Sequence, residues 1–166
     1  MTKPTLVLLL ATALFATVAT NLFRPTPAEA HCQIPCGIYN DTTRFSLLAE
    51  HITTIEKSMK QITALAADPT KNANQIARWV INKEQHADAF TELIVTYFLQ
   101  QRIKPVASEG RLAYLKKIEL CHHLLVATMK AKQSTDLNVI ADLQTKLLTF
   151  QQAYLAKPVA AKPHTH

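Results

Sequence analysis

Apolar residues recur every three to four positions through most of this chain, and of its 166 residues only Gly37 and Gly110 are glycine. That spacing marks one face of an α-helix, and so few glycines leave an all-β fold without its tight turns. Four stretches carry such a stripe. The first runs from about Thr43 to Ala66, with Phe45, Leu48, Ile52, Ile55, Met59, Ile62 and Leu65 inward. Asn40, Asp41 and Thr42 offer cap oxygens before it, and Asp68-Pro69 ends it. The second runs from about Asn72 to Gln101 on Ile76, Trp79, Val80, Phe90, Leu93, Ile94 and Tyr97, and Lys104-Pro105 stops it. The third, from about Ser108 to Lys132, places Leu112, Leu115, Ile118, Leu125 and Met129 inward, with Ser108 as its cap. Ser134-Thr135-Asp136 opens a fourth that reaches about Leu155 on Leu137, Ile140, Leu147, Leu148 and Phe150. Short connections between amphipathic helices predict an all-α fold, an antiparallel up-down four-helix bundle over residues 42–156.

Residues 1–30 have the pattern of a cleaved secretory signal peptide. Lys3 precedes the apolar run Leu6–Val18, which only Thr12 and Thr17 interrupt, and Ala28 and Ala30 stand at −3 and −1 of a cleavage site. The run falls short of the roughly 20 residues that span a bilayer, so no stable membrane span is expected after cleavage; an uncleaved anchor is the competing reading. Export places the protein in the periplasm or outside the cell. Cleavage leaves 136 residues, enough for one core. Without Lys3, Arg24 and Glu29, 16 basic residues face 11 acidic ones. That excess suits the gathering of a small anion, or simply solubility. The basic residues are scattered without aromatic interleaving, which argues against nucleic-acid binding. The tail 157–166 repeats Lys-Pro, ends His-Thr-His and reads as disordered.

Cleavage after Ala30 would make His31 the N-terminus. Its nitrogen changes from an amide to an α-amine of pKa about 7.7–8.0, from which a metal can displace the proton near neutral pH. The amine of His31, the backbone nitrogen of Cys32 and the Cys32 thiolate can chelate one ion through adjacent small rings, and Cys36 can close the fourth side. Two nitrogens and two thiolates in a plane suit Ni(II) or Cu(II), with the His31 imidazole approaching axially. A Cys32–Cys36 disulfide is the competing reading in an oxidising compartment. Pro35 and Gly37 fit a sharply bent loop. Cys121, beside His122 and His123, reads as a small core residue.

His31-Cys32-x-x-Pro35-Cys36-Gly37-x-Tyr39 resembles the nickel hook of nickel superoxide dismutases, whose mature chains begin at the His after proteolytic removal of a leader. Asn82-Lys83-Glu84-Gln85 and Lys104-Pro105 resemble further stretches of that family. The resemblance implies superoxide as substrate, disproportionated to oxygen and hydrogen peroxide by one-electron cycling of a hook-bound nickel, one per subunit. It implies His31, Cys32 and Cys36 as metal ligands, and His31 and Tyr39 as catalytic residues, with Tyr39 bordering the substrate pocket; packing alone is the other reading of Tyr39. It also implies a homohexamer. Two positions depart from the family pattern. Leu47 stands near where members carry an acid that supports the axial imidazole, and its acidic neighbours Asp41 and Glu50 are not secure substitutes. His86 stands where some members carry Arg, as a donor behind the metal ligands or as a solvated helix residue. The alternative reading is an exported, non-catalytic nickel- or copper-binding helical protein.

Overall fold

The computed structural model describes residues 39–156; the leader, the hook ligands His31, Cys32 and Cys36, and the tail 157–166 lie outside the described residues. The chain divides into two units, Met1–Cys36 and Gly37–His166, and the second forms a helical bundle. Its helices are α1 (Asp41–Leu65), α2 (Pro69–Glu92), α3 (Arg111–Gln133) and α4 (Leu137–Leu155). A π-helical stretch, Leu93–Arg102, continues α2 without a break. No strand occurs among the described residues. Each helix packs on its neighbour in sequence, and α4 returns to α1 to close the bundle.

Local chemistry sets most of the helix ends. Asn40 caps α1 by accepting the Thr43 N–H at 2.9 Å. Asp68-Pro69 begins α2 as well as ending α1: the Asp68 carboxylate accepts the Lys71 N–H at 3.2 Å and Pro69 occupies the first turn. The second helix therefore starts before Asn72. Asp136 caps α4 by accepting the Asn138 N–H at 2.9 Å. The start of α3 differs from expectation. Ser108 offers only its carbonyl, to Arg111 N–H at 3.3 Å, and the cap is Gly110 at φ +80°, a left-handed conformation that side chains disfavour. The helix begins at Arg111.

On α1 the expected stripe is buried from Phe45 through Met59, with Ile62 and Leu65 half-buried. The third helix is turned away from its expected face. Leu112, Leu115 and Met129 are exposed, Ile118 and Leu125 are half-buried, and the core side is Leu120, Cys121, Leu124, Ala127, Thr128 and Ala131. The other helices supply the aromatic bulk at the centre (Phe45, Phe90, Tyr97, Phe98, Phe150), and α3 approaches with Leu120, Leu124 and otherwise small side chains. A periodicity read from large residues alone picks the wrong face. On the other helices Val80, Leu137 and Leu148 are exposed, Ile76, Trp79 and Leu93 are half-buried, and Leu143 is buried.

Candidate functional site at the start of the first helix

Tyr39, the first described residue, enters a polar and aromatic cluster at the start of α1. The Asp41 carboxylate accepts two hydrogen bonds from Arg102, Nε to Oδ1 at 2.9 Å and Nη2 to Oδ2 at 2.7 Å. This is the paired geometry in which a guanidinium binds a carboxylate most strongly. The Tyr97 hydroxyl donates to the same Oδ1 at 2.6 Å. The Arg102 guanidinium lies 4.4 Å from the centre of the Tyr39 ring, and Tyr39 meets Tyr97 edge to face at 6.0 Å. Arg44 lies 5.1 Å from the Tyr97 ring centre, its Nε buried without a hydrogen-bond partner and its charge without an ion pair among the described residues.

The π-helical stretch makes this convergence possible. Tyr97 and Arg102 are five residues apart, and in an α-helix five residues end roughly 140° away from the starting direction. A π-helix bonds each N–H to the carbonyl five residues back, so residues at that spacing lie nearly one turn apart. The Ile103 N–H donates to the Phe98 carbonyl at 2.8 Å, and the Gln101 side chain to the Thr96 carbonyl at 3.0 Å, both across five residues.

Electrostatics fix the protonation of the cluster. The Arg102 guanidinium holds the Asp41 carboxyl below its ordinary value, against the opposing effect of burial and with help from the Tyr97 hydrogen bond. Burial and then the Asp41 charge push the Tyr97 phenol up to about 12. Burial and the Asp41 charge also raise the Tyr154 phenol, and Asp41 strengthens the hold of Arg102 on its proton. At neutral pH the cluster therefore holds an ionised Asp41, a cationic Arg102 and neutral Tyr97 and Tyr154 phenols.

The remaining residues singled out in the sequence take other places. Asp41 is committed to Arg102 and Tyr97, Glu50 is exposed and Leu47 is half-buried. His86 lies against His51 of α1, Nδ1 to Nδ1 at 3.0 Å. The Asn82–Gln85 run fastens helices together: Asn82 donates to Ser58 Oγ at 2.9 Å, and the buried Lys83 donates to the carbonyls of Lys132 at 2.5 Å and Ser134 at 3.2 Å. Glu84 pairs with Lys132 at 3.2 Å. Lys83 thus satisfies carbonyls that the end of α3 leaves open. Lys104-Pro105 follows the extended Ile103 that terminates the π stretch. Cys121 is buried as expected, and burial pushes its thiol up to about 12. Arg44, Tyr97 as a polar residue and Arg102 escape a reading of the sequence, since a five-residue spacing is invisible to a search at 3.6.

Among the described residues no three His, Cys, Asp or Glu side chains converge to hold a metal, and no helix is long and apolar enough to cross a membrane. Comparison with curated proteins and with solved structures returns no match. The profile of the nickel-containing superoxide dismutase family matches residues 26–157, most of the chain and all of the His31–Tyr39 run. The protein therefore belongs to the nickel-containing superoxide dismutases: it is an oxidoreductase, and nickel is its cofactor.

Proposed function

We propose that the enzyme removes superoxide at a nickel held by a hook that begins at His31 once the leader has been cut away. The observation that carries this reading is the family match across the hook, joined to the donor set there. The α-amine and imidazole of His31, the backbone nitrogen and thiolate of Cys32 and the thiolate of Cys36 would hold the ion. Cys121, the remaining cysteine, is buried with its thiol proton firmly held, which supports Cys32 and Cys36 as the thiolate donors. Bound there, nickel supplies a one-electron couple, so that two superoxide ions and two protons become oxygen and hydrogen peroxide.

The chain's own residues bring in the anion and supply hydrogen bonds. Tyr39 stands three positions after Cys36, a reach of about 11 Å at full extension. Tyr97 spends its proton on Asp41 and Tyr154 is half-buried against Phe45, Phe98 and Phe150, so the exposed Tyr39 is the phenol of the cluster best placed to hold water or a small anion. Arg44, with no carboxylate partner among the described residues, adds positive charge beside Tyr97. The basic excess of the chain after leader removal draws anions over a longer range. Export to the periplasm or beyond, and assembly of several copies, complete the reading.

The test is purification of the exported protein from nickel-supplemented cells, with superoxide removal, intact mass and metal content measured together. A chain starting at His31, with about one nickel per subunit and activity lost in His31→Ala and Cys36→Ser, is the expected result. Nickel bound without turnover would leave a metal carrier. A Cys32–Cys36 disulfide that takes up no nickel after reduction and reloading would overturn the site.

A further inference from the structure

The exposed face of α3 carries a stripe that has no partner among the described residues. Leu112, Leu115, Glu119, His122, Val126 and Met129 follow one another at alternating spacings of three and four, all exposed, on the side of α3 away from Leu120, Leu124 and Ala127. Leu112 is 85% exposed and Met129 53%. Alternation of three and four is the spacing of a helix seam that packs against another helix, and the stripe runs about 26 Å.

The stripe is also complementary to its own reverse. Laid antiparallel on a second α3, with a two-fold axis between Glu119 and His122, Leu112 comes level with Met129, Leu115 with Val126, and Glu119 with His122. Apolar side chains then meet apolar ones on both flanks, and the only carboxylate in the stripe meets the only imidazole. Lys116 bonds Glu119 Oε2 at 2.9 Å within the same chain, which leaves Oε1 for that imidazole. A parallel pairing would instead set Glu119 against Glu119 and His122 against His122. A two-fold contact uses the same patch on both copies, and this patch meets that condition residue by residue.

We propose that α3 is a self-association surface, pairing antiparallel with α3 of a second copy of this chain across Glu119 and His122. The pairing rests on the self-association read above and not on its catalytic part; mass and turnover are measured separately, so each can fail alone. Glu119 in the centre of the stripe also speaks against an anionic lipid surface as its occupant.

The test is the mass of the nickel-loaded mature chain by sedimentation over a range of concentrations, with helix content checked by circular dichroism. Leu115→Glu and Val126→Glu are expected to weaken association at least tenfold and to halve the mass of the species they disrupt. Both sites are more than two-fifths exposed, so the bundle itself should persist. Glu119→Lys alone and His122→Glu alone should each weaken the pairing, and the double variant should restore it by exchanging the charges across the axis. Masses unchanged by Leu115→Glu and Val126→Glu would overturn the proposal. So would single charge variants that weaken association without recovery in the double variant. A native chain that stays monomeric and binds anionic vesicles through this stripe would overturn it as well.

Discussion

The two ends of the paired helices α1 and α2 are built to different standards. At one end Asp41, Tyr97 and Arg102 form a closed hydrogen-bonded cluster over Phe45, Phe98, Phe150 and Tyr154, whose rings lie 5.0–5.7 Å apart. At the other, around the turn Ala66–Asp68, no residue from Lys60 to Asn82 is buried. A bond from Asn72 Nδ2 to the Leu65 carbonyl at 3.1 Å is the main polar tie across that turn. The helices extend past the cover that α3 and α4 provide. Rigidity is concentrated where the chain enters the bundle, beside Tyr39, and the far tip is left to local helix stability.

Asp41→Ala breaks this contrast most severely. It strips the Tyr97 hydroxyl and the Arg102 guanidinium of their shared acceptor. The Arg102–Asp41 pair keeps some contact with solvent, whereas the Tyr97 hydroxyl is fully enclosed and would lose its acceptor, so the expected loss is about 3 kcal/mol. The midpoint of urea unfolding measures it. Ile76→Ala, at the half-buried tip, should cost about 1 kcal/mol or less in the same experiment.

Acid and alkali should attack the same end. The folded-state pKa of Asp41 is depressed, so its contribution is present above the ordinary carboxylate value and is lost as pH falls through the lowered one. The folded-state pKa of Tyr97 is raised to about 12, so its contribution is complete below about 10 and disappears as pH climbs towards 12. Tyr97→Phe should flatten the alkaline limb of the stability profile and leave the acid limb in place. An alkaline limb unchanged in Tyr97→Phe would assign that limb to other groups.

Hydrogen exchange sharpens the comparison without mutation. Amides of residues 63–72 should exchange through local opening, while those of Ile52, Ile94 and Phe98 should wait for global unfolding. Equal protection at both ends would remove the contrast. The smallest expected effect is at the His51–His86 contact between the two ends. Burial and the neighbouring His86 lower the His51 pKa, and Glu50 opposes them. Its contribution is therefore present above about pH 6.5 and falls as His51 is forced to protonate. His86→Ala should reduce the slope of stability between pH 7 and 5 by a few tenths of a kcal/mol per pH unit.

Existence and order of the helices were legible in the sequence because stripe and punctuation agree: Asn40, Asp68-Pro69 and Asp136 cap helices that their apolar residues demand. The facing of α3 was not legible, since Cys121, Ala127, Thr128 and Ala131, four of its six buried residues, are ones that apolar periodicity weighs lightly, and Leu120 and Leu124 are outnumbered by large apolar residues on the exposed face. The proposed metal-ligating motif is local, nine consecutive residues of sequence, and its ligands lie outside the described residues. The cluster around Asp41 is assembled from α1 and a π-helical stretch, and its spacing follows no α-helical rule. The Asn82–Gln85 run, singled out for its resemblance, turns out to fasten α1, α2 and the end of α3 together.

Burial of Cys121 gives the protein an internal standard for thiol chemistry. With its sulfur enclosed and its proton held up to about 12, Cys121 should resist an alkylating reagent while the fold lasts. Labelling of the native, metal-free chain then counts Cys32 and Cys36 alone, and labelling after denaturation adds one more. The difference separates damage by the enzyme's own peroxide product from loss of structure in a single mass spectrum.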